Sequence, residues 1–311
     1  MFEQGKTYDG YQTIRRIGLS NMAEVFLLRK TGHFNGEEFV VGKTILPNLV
    51  EDDRFKQLFE REIKIHKACS GHPAIANFLY EGTFNYRNFF LMEFIESSDS
   101  DLERLNFEKE IPEIYAQDSC KYSLLERISA FIDIADALAY VHELGFVHRD
   151  ICPANLMTDG LLQGKLIDFG LAIEGSTDPR EDDLVGRFSY LAPELWSFEI
   201  ADSKSDQFAF GCTLYRCLTR RRPFGPKSAP YNERAKIIGK DGYQVPTPEF
   251  ESPDIPKEMT YIIKKSMARN PNERYDNMNQ VRDVLKEAYL KYERVIRRDL
   301  IEKVTIDHLI L

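Results

Sequence analysis

The chain changes character near residue 96, and that break limits the folds open to it. Before it, apolar residues come in short runs at Tyr11 to Ile17, Glu24 to Leu28, Phe39 to Ile45, Phe78 to Gly82 and Phe89 to Ile95. A GLSN segment starting at Gly18, and the glycines Gly32 and Gly36, separate the first runs, so a meander of short strands is expected. One helix is expected inside this region, over Asp52 to Ala68, where Phe55, Leu58, Phe59, Ile63 and Ile65 fall near helical spacing. After the break the period changes. From Ser123 to Leu144 the apolar positions Leu124, Ile128, Phe131, Ile132, Ala135, Leu138 and Val141 follow a 3.6-residue repeat. Further helices are expected around Asp206 to Cys217, Thr260 to Ala268 and Met278 to Val304. The polar stretch Glu96 to Glu103 suits a linker. The expected architecture is α+β and bilobal. It has a small β-rich lobe over residues 1–95, a large mainly helical lobe over 96–290 and a helical extension over 291–311, with a ligand cleft between the lobes.

Charge and cysteine usage exclude several classes. With 41 Lys and Arg against 50 Asp and Glu, the net charge of −9 argues against a chain-wide basic surface, so no nucleic-acid partner is expected. The five cysteines have no C-x-x-C spacing, which excludes a zinc ribbon and a thioredoxin-type site and points to a reducing, cytoplasmic setting. No run of 18 residues is free of charge, and no membrane partner is expected.

The chemistry concentrates in two segments. His148 to Asn155 reads HRDICPAN, and Asp168-Phe169-Gly170 follows the strand-like Lys165 to Ile167. Ala192-Pro193-Glu194 comes next. In this order and context the chain resembles the protein-kinase superfamily, over roughly residues 8 to 290, and most nearly its bacterial, eukaryotic-like Ser/Thr members. The resemblance implies the fold just described, ATP and Mg²⁺ (or Mn²⁺) as cofactors and a protein substrate. It implies that Asp150 accepts the substrate hydroxyl proton and that Asn155 and Asp168 hold metal. Lys43, in FVVGKTI, matches the lysine that holds the phosphates. Glu62 is its expected helix partner, with Glu60 as the alternative. An unpaired ammonium in that apolar run would be costly, which favours a paired one. Gly18 opens the phosphate-covering turn, Val25 and Val41 would cover the adenine, Met92 would back it, and Glu93, Phe94 and Ile95 would offer hinge backbone. Glu194 is expected to pair with Arg274, and Asp206 with Gly211 to brace the catalytic loop from below.

Three departures from the family pattern stand out. The covering turn keeps only its first glycine, with Ser20 and Ala23 at the other two positions. Cys152 occupies the place of a lysine that contacts the γ-phosphate, and a neutral thiol cannot neutralise transferring charge. Arg187 stands where a threonine is usual, and its guanidinium is expected to replace the missing ammonium as a catalytic group. In relatives the arginine at Arg149 often receives an activation-loop phosphate, for which Ser176, Thr177 and Ser189 are candidate acceptors. Alternatively, the loop carboxylates Glu174, Asp178, Glu181, Asp182 and Asp183 fill that role. The cluster Arg220-Arg221-Arg222 reads as a solvated turn rather than a docking site.

The expected activity is therefore an ATP- and Mg-dependent Ser/Thr protein kinase, with the chain itself among its expected targets. Pro153 favours Ser/Thr over Tyr. The rival readings are a pseudokinase scaffold, suggested by Cys152 and the reduced glycine turn, and a small-molecule phosphotransferase, against which the APE segment speaks.

Overall fold

The computed structural model describes residues 2–32, 38–84, 86–96, 124–175, 189–197, 200–219, 221–224 and 255–310, without side chains beyond residue 298. Its first part is a six-stranded antiparallel sheet. The strands are β1 (Thr7–Tyr8), β2 (Tyr11–Leu19), β3 (Ala23–Lys30), β4 (Phe39–Ile45), β5 (Phe78–Phe84) and β6 (Arg87–Glu93), in the order β1-β2-β3-β4-β6-β5. Because side chains alternate across a strand, neighbouring residues of β6 serve opposite faces. Phe90 and Met92 join Val41, Ile45, Phe59 and Ile63 in one apolar cluster, whereas Phe89 and Leu91 join Phe2, Phe26, Leu28 and Val40 in another.

The first cluster receives helix α1 (Asp53–Cys69). The Asp52 carboxylate caps its start by accepting from the Arg54 N–H at 3.0 Å, and His66 and Lys67 lie in its last turn, where positive charge suits the helix dipole. Past α1 the chain is tied to the second lobe. Ala76 N–H donates to Leu166 C=O and Leu166 N–H to Ala74 C=O, both at 2.9 Å, and the His72 ring stacks on Tyr140 at 5.0 Å.

The second lobe is built from α2 (Leu124–Glu143), α3 (Ser203–Thr219), α4 (Lys257–Ser266) and α5 (Met278–Ile310). Helix α3 is buried on nearly every side, as expected of a helix through the centre of a lobe rather than on its surface. Its Phe208, Phe210 and Leu214 pack with Phe131 and Leu138 of α2 and with Val281 and Leu285 of α5 in one large core. Short strands β7 (Phe146–Val147), β8 (Leu156–Thr158), β9 (Gly164–Leu166) and β10 (Ile173–Glu174) form two hairpin-like pairs, β7 with β10 and β8 with β9. They hold the functional loops between them. The break at residue 290 read from the sequence falls inside the continuous helix α5. Among the described residues, no helix is long and apolar enough to cross a membrane. The linker expected over 96–103 lies outside the described residues, apart from Glu96.

Candidate active site

Lys43 lies in β4, beside Val25 of β3 and Phe90 of β6, and is 5% exposed. An ammonium so placed needs compensation, and it has two partners. Its Nζ lies 2.5 Å from Glu62 Oε1 and 2.9 Å from Asp168 Oδ1. Glu62 is thereby the helix partner and Glu60 is not; Glu60 accepts instead from Asn88 at 3.5 Å in an exposed position. Burial acts to raise the Asp168 carboxyl, but Lys43 and the Gly170 N–H outweigh it and hold it at about 2. Burial lifts the Glu62 carboxyl above its ordinary range, with Lys43 pulling it back.

Behind this trio lies a stack of rings. Phe169 is fully buried, with its ring 5.2 Å from His66 of α1 on one side and 5.2 Å from His148 on the other. The His66 ring also meets Phe78 and Phe90, and its Nε2 lies 2.7 Å from Ala76 C=O. Burial holds His66 down at about 4, so it packs as a neutral ring. The sequence reading did not single out His66. Its one available signal was position, a single turn after Glu62 on the buried side of α1.

The catalytic-loop segment is held from beneath by Asp206. Its carboxylate accepts from His148 N–H and Arg149 N–H, each at 2.8 Å, and lies 2.9 Å from His142 Nε2. Arg149 has φ of 64°, a left-handed conformation that costs a non-glycine residue about 1–3 kcal/mol, and the two bonds to Asp206 offset that cost. The Asn155 amide donates to Asp150 at both its backbone C=O and its Oδ2, each at 2.8 Å, which leaves Oδ1 as its own acceptor. Burial pushes the Asp150 carboxyl up to about 6, against the pull of Asn155 and of the Cys152 thiol that donates to it. Cys152 is fully buried, and burial first, then Asp150, raise its thiol well above the usual range. It is therefore a neutral donor facing Asp150.

The expected adenine-side residues Val25, Val41 and Met92 share one apolar cluster with Ala23 and Ile17. Gly18 lies against Val25, where an added Cβ would come within 3.2 Å of the valine's own. Ile95 is buried, and Phe94 packs at the edge of the cluster. Glu93 departs from a purely backbone role, since its carboxylate accepts from Asn77 N–H at 2.9 Å and pairs with Lys165 at 3.3 Å. The covering turn is closed by Ser20, whose Oγ accepts from the N–H groups of Met22 and Ala23 at 3.3 and 3.0 Å. Arg187 and the loop positions Ser176, Thr177, Asp178, Glu181, Asp182 and Asp183 lie outside the described residues. Glu194 and Arg274 meet as expected, in a two-pronged pair with both bonds at 2.7 Å.

A family model described as "Protein kinase domain" matches residues 11–290. The chain belongs to that family. Its similarity extends to "Tyrosine-protein kinase MasK" of Myxococcus xanthus, 31% identical over 291 residues that cover 89% of this chain and 43% of the relative. "Probable serine/threonine-protein kinase SCO3848" of Streptomyces coelicolor is 30% identical over 277 residues, covering 86% of this chain and 38% of that one. "Serine/threonine-protein kinase PrkC" of Bacillus subtilis is 28% identical over 295 residues, covering 92% and 41%. The chain thus spans about two-fifths of the length of the curated kinases it matches. The bilobal α+β architecture is that of a protein kinase domain, as the motif order implied.

The site also suits the nucleotide and metal that the family implies. An added Cβ at Gly170 would come within 3.1–3.5 Å of Asp168 Oδ1, Lys43 Nζ and Glu62 Oε2, so the bare glycine keeps that space open. The oxygens offered, from Asp168 and Asn155, are hard donors and few. Mg²⁺ favours such a set, because it completes its shell with phosphate oxygens and water.

Proposed function

We propose that this domain is an ATP- and Mg-dependent Ser/Thr protein kinase. The observation that carries the reading is Lys43 bonded to both Glu62 and Asp168 while Phe169 is buried beneath α1. That arrangement brings a cation from the sheet lobe and a carboxylate from the helical lobe to one point. Bound Mg-ATP supplies the transferable phosphoryl group. Lys43 steadies the phosphates, with Glu62 fixing its ammonium. Asp168 and the Asn155 Oδ1 hold the metal. Asp150, oriented by the Asn155 amide and the Cys152 thiol, takes the proton from a protein hydroxyl at a carboxylate oxygen. Gly18, Val25, Val41 and Met92 enclose the base, with backbone of Glu93 to Ile95 beside it. Arg187 supplies the positive charge that Cys152 does not.

The names of most relatives, together with Pro153, support Ser/Thr over Tyr as acceptor. The four described cysteines, all buried, support the reducing cytoplasmic setting. The test is autophosphorylation with labelled Mg-ATP, comparing the wild type with Asp168→Asn. Label on wild-type Ser or Thr alone is the expected result. No label on either, with added protein substrates, would overturn the reading and favour a scaffold role, whereas equal labelling of both would mark a contaminating kinase.

A further inference from the structure

The face of the sheet turned away from α1 carries a second cavity. Phe90 and Met92 of β6 pack with α1, whereas Phe89 and Leu91 serve the other side. On that side lies an open cavity of about 310 Å³, walled by the rings of Phe2, Tyr8, Tyr80, Phe84 and Phe89. Neighbouring rings meet steeply. Phe2 and Tyr8 lie at 86°, Phe2 and Phe89 at 87°, and Tyr8 and Phe84 at 74°, with centroids 5.9, 5.7 and 5.1 Å apart. Rings at such angles make corners rather than a flat stack. Tyr80 is 45% and Phe84 38% exposed, so ring surface is left open to solvent. Lys43 is on the opposite face, because the wall residues Phe2, Leu28 and Leu91 pack against its neighbour Gly42.

Asp9 completes the lining. It is exposed, in the Asp9-Gly10 turn that joins β1 to β2. Its carboxylate makes no hydrogen bond or ion pair among the described residues. Lys6, close in sequence, pairs with Glu3, and Lys30, opposite Tyr11, pairs with Glu38. The cavity thus joins several aromatic faces to one uncompensated negative charge. Aromatic faces attract cations, and quaternary ammonium groups are suited to such walls. A primary ammonium has three N–H donors to satisfy, and rings offer it few acceptors; an alkylated one has none to satisfy.

We propose that this cavity binds a small quaternary ammonium compound, its alkyl groups against the rings and its charge beside Asp9. The inference does not depend on the protein-kinase reading.

The experiment titrates the full chain, without nucleotide, with choline and with 3,3-dimethylbutan-1-ol, the neutral analogue of the same shape. Binding is measured by calorimetry at constant ionic strength. Choline is expected to bind on the order of tenfold more tightly than the alcohol. Asp9→Asn retains a residue type that tolerates the left-handed turn, and it should cut the choline-to-alcohol ratio several-fold. Tyr80→Leu, at a half-exposed position, should weaken choline further than the alcohol. Thermal melting without ligand checks that both variants remain folded. Equal binding of the two compounds, saturable binding of neither, or a ratio that both folded variants leave intact would overturn the proposal.

Discussion

Replacing Arg274 by alanine should unfold this domain far more readily than its distance from Asp150 suggests. Arg274 is 3% exposed, and each of its five N–H groups has a bond to make. Nε donates to Ala268 C=O at 2.9 Å. Nη1 donates to Glu194 Oε1 and to Lys204 C=O, both at 2.7 Å. Nη2 donates to Glu194 Oε2 at 2.7 Å and to Arg269 C=O at 3.3 Å. Its guanidinium also lies 5.1 Å from the centre of the Phe208 ring. Alanine would leave the Glu194 carboxylate buried without its cation, a defect worth about 3–5 kcal/mol. Each orphaned carbonyl that water cannot reach adds about 1 kcal/mol. An overall loss of about 4 kcal/mol is expected, a large part of the ~5–15 kcal/mol available to a folded domain. Urea unfolding followed by tryptophan fluorescence measures it, since Trp196 is in the same short helical turn as Glu194. Arg274→Lys should recover little, because a point ammonium cannot reproduce the planar fork. Pairing Glu194→Leu with Arg274→Met should recover much of the loss by leaving no charge unmatched. A cost below ~1 kcal/mol for Arg274→Ala would refute the reasoning.

Four further outcomes are expected. Burial raises Asp150 from an ordinary 3.8 to about 6, so the folded chain binds more protons than the unfolded one between those values, and stability falls as pH rises through them. Asp150→Asn should remove that slope in urea titrations at pH 4 and 6.5, and the same change should slow transfer by about 100-fold or more. Lys43→Met leaves Glu62 and Asp168 facing each other without a cation, and transfer in a labelled-nucleotide assay should fall on the order of 10²–10³-fold. Gly164→Ala would drive a Cβ to 2.2 Å from Ala130 C=O on the backbone of α2, so thermal melting should drop well beyond that of Gly145→Ala, whose Cβ meets nothing within 4 Å. Arg187→Ala should lower transfer while leaving nucleotide affinity, measured by calorimetry, near that of the wild type.

The long elements were legible because period and burial agree in them. Strand β4 runs from Phe39 to Ile45 and α2 from Leu124 to Glu143, close to their expected bounds. The strands β7 to β10 are two or three residues long, too short to show a period, although they hold the catalytic loops. The motif order named the residues around Asp150 and Asp168, but pairings made across 100 residues or more depend on the packed lobes. Glu62 is the expected partner and Glu60 the alternative, and the rotation of α1 brings Glu62 to Lys43. The neutral ring of His66 is signalled only by its position one turn after Glu62. Arg222 was read with its neighbours as solvated; a run of identical charges does not reveal which member turns inward toward Ser189.

The ties between the segment after α1 and the second lobe also have a mechanical consequence. With Ala74 and Ala76 bonded to Leu166 and His72 resting on Tyr140, the chain just past the C-terminal end of α1 is tied to the second lobe, and Asp53 lies at the far end of that arm. At 1.5 Å per residue, Glu62 lies about 10 Å from Cys69 along that arm. A swing of about 20° would carry its carboxylate roughly 3–4 Å, enough to part it from Lys43, while Asp53 would travel more than twice as far. A contact near Asp53 would therefore act on the ion pair through a longer arm than the one from Cys69 to Glu62.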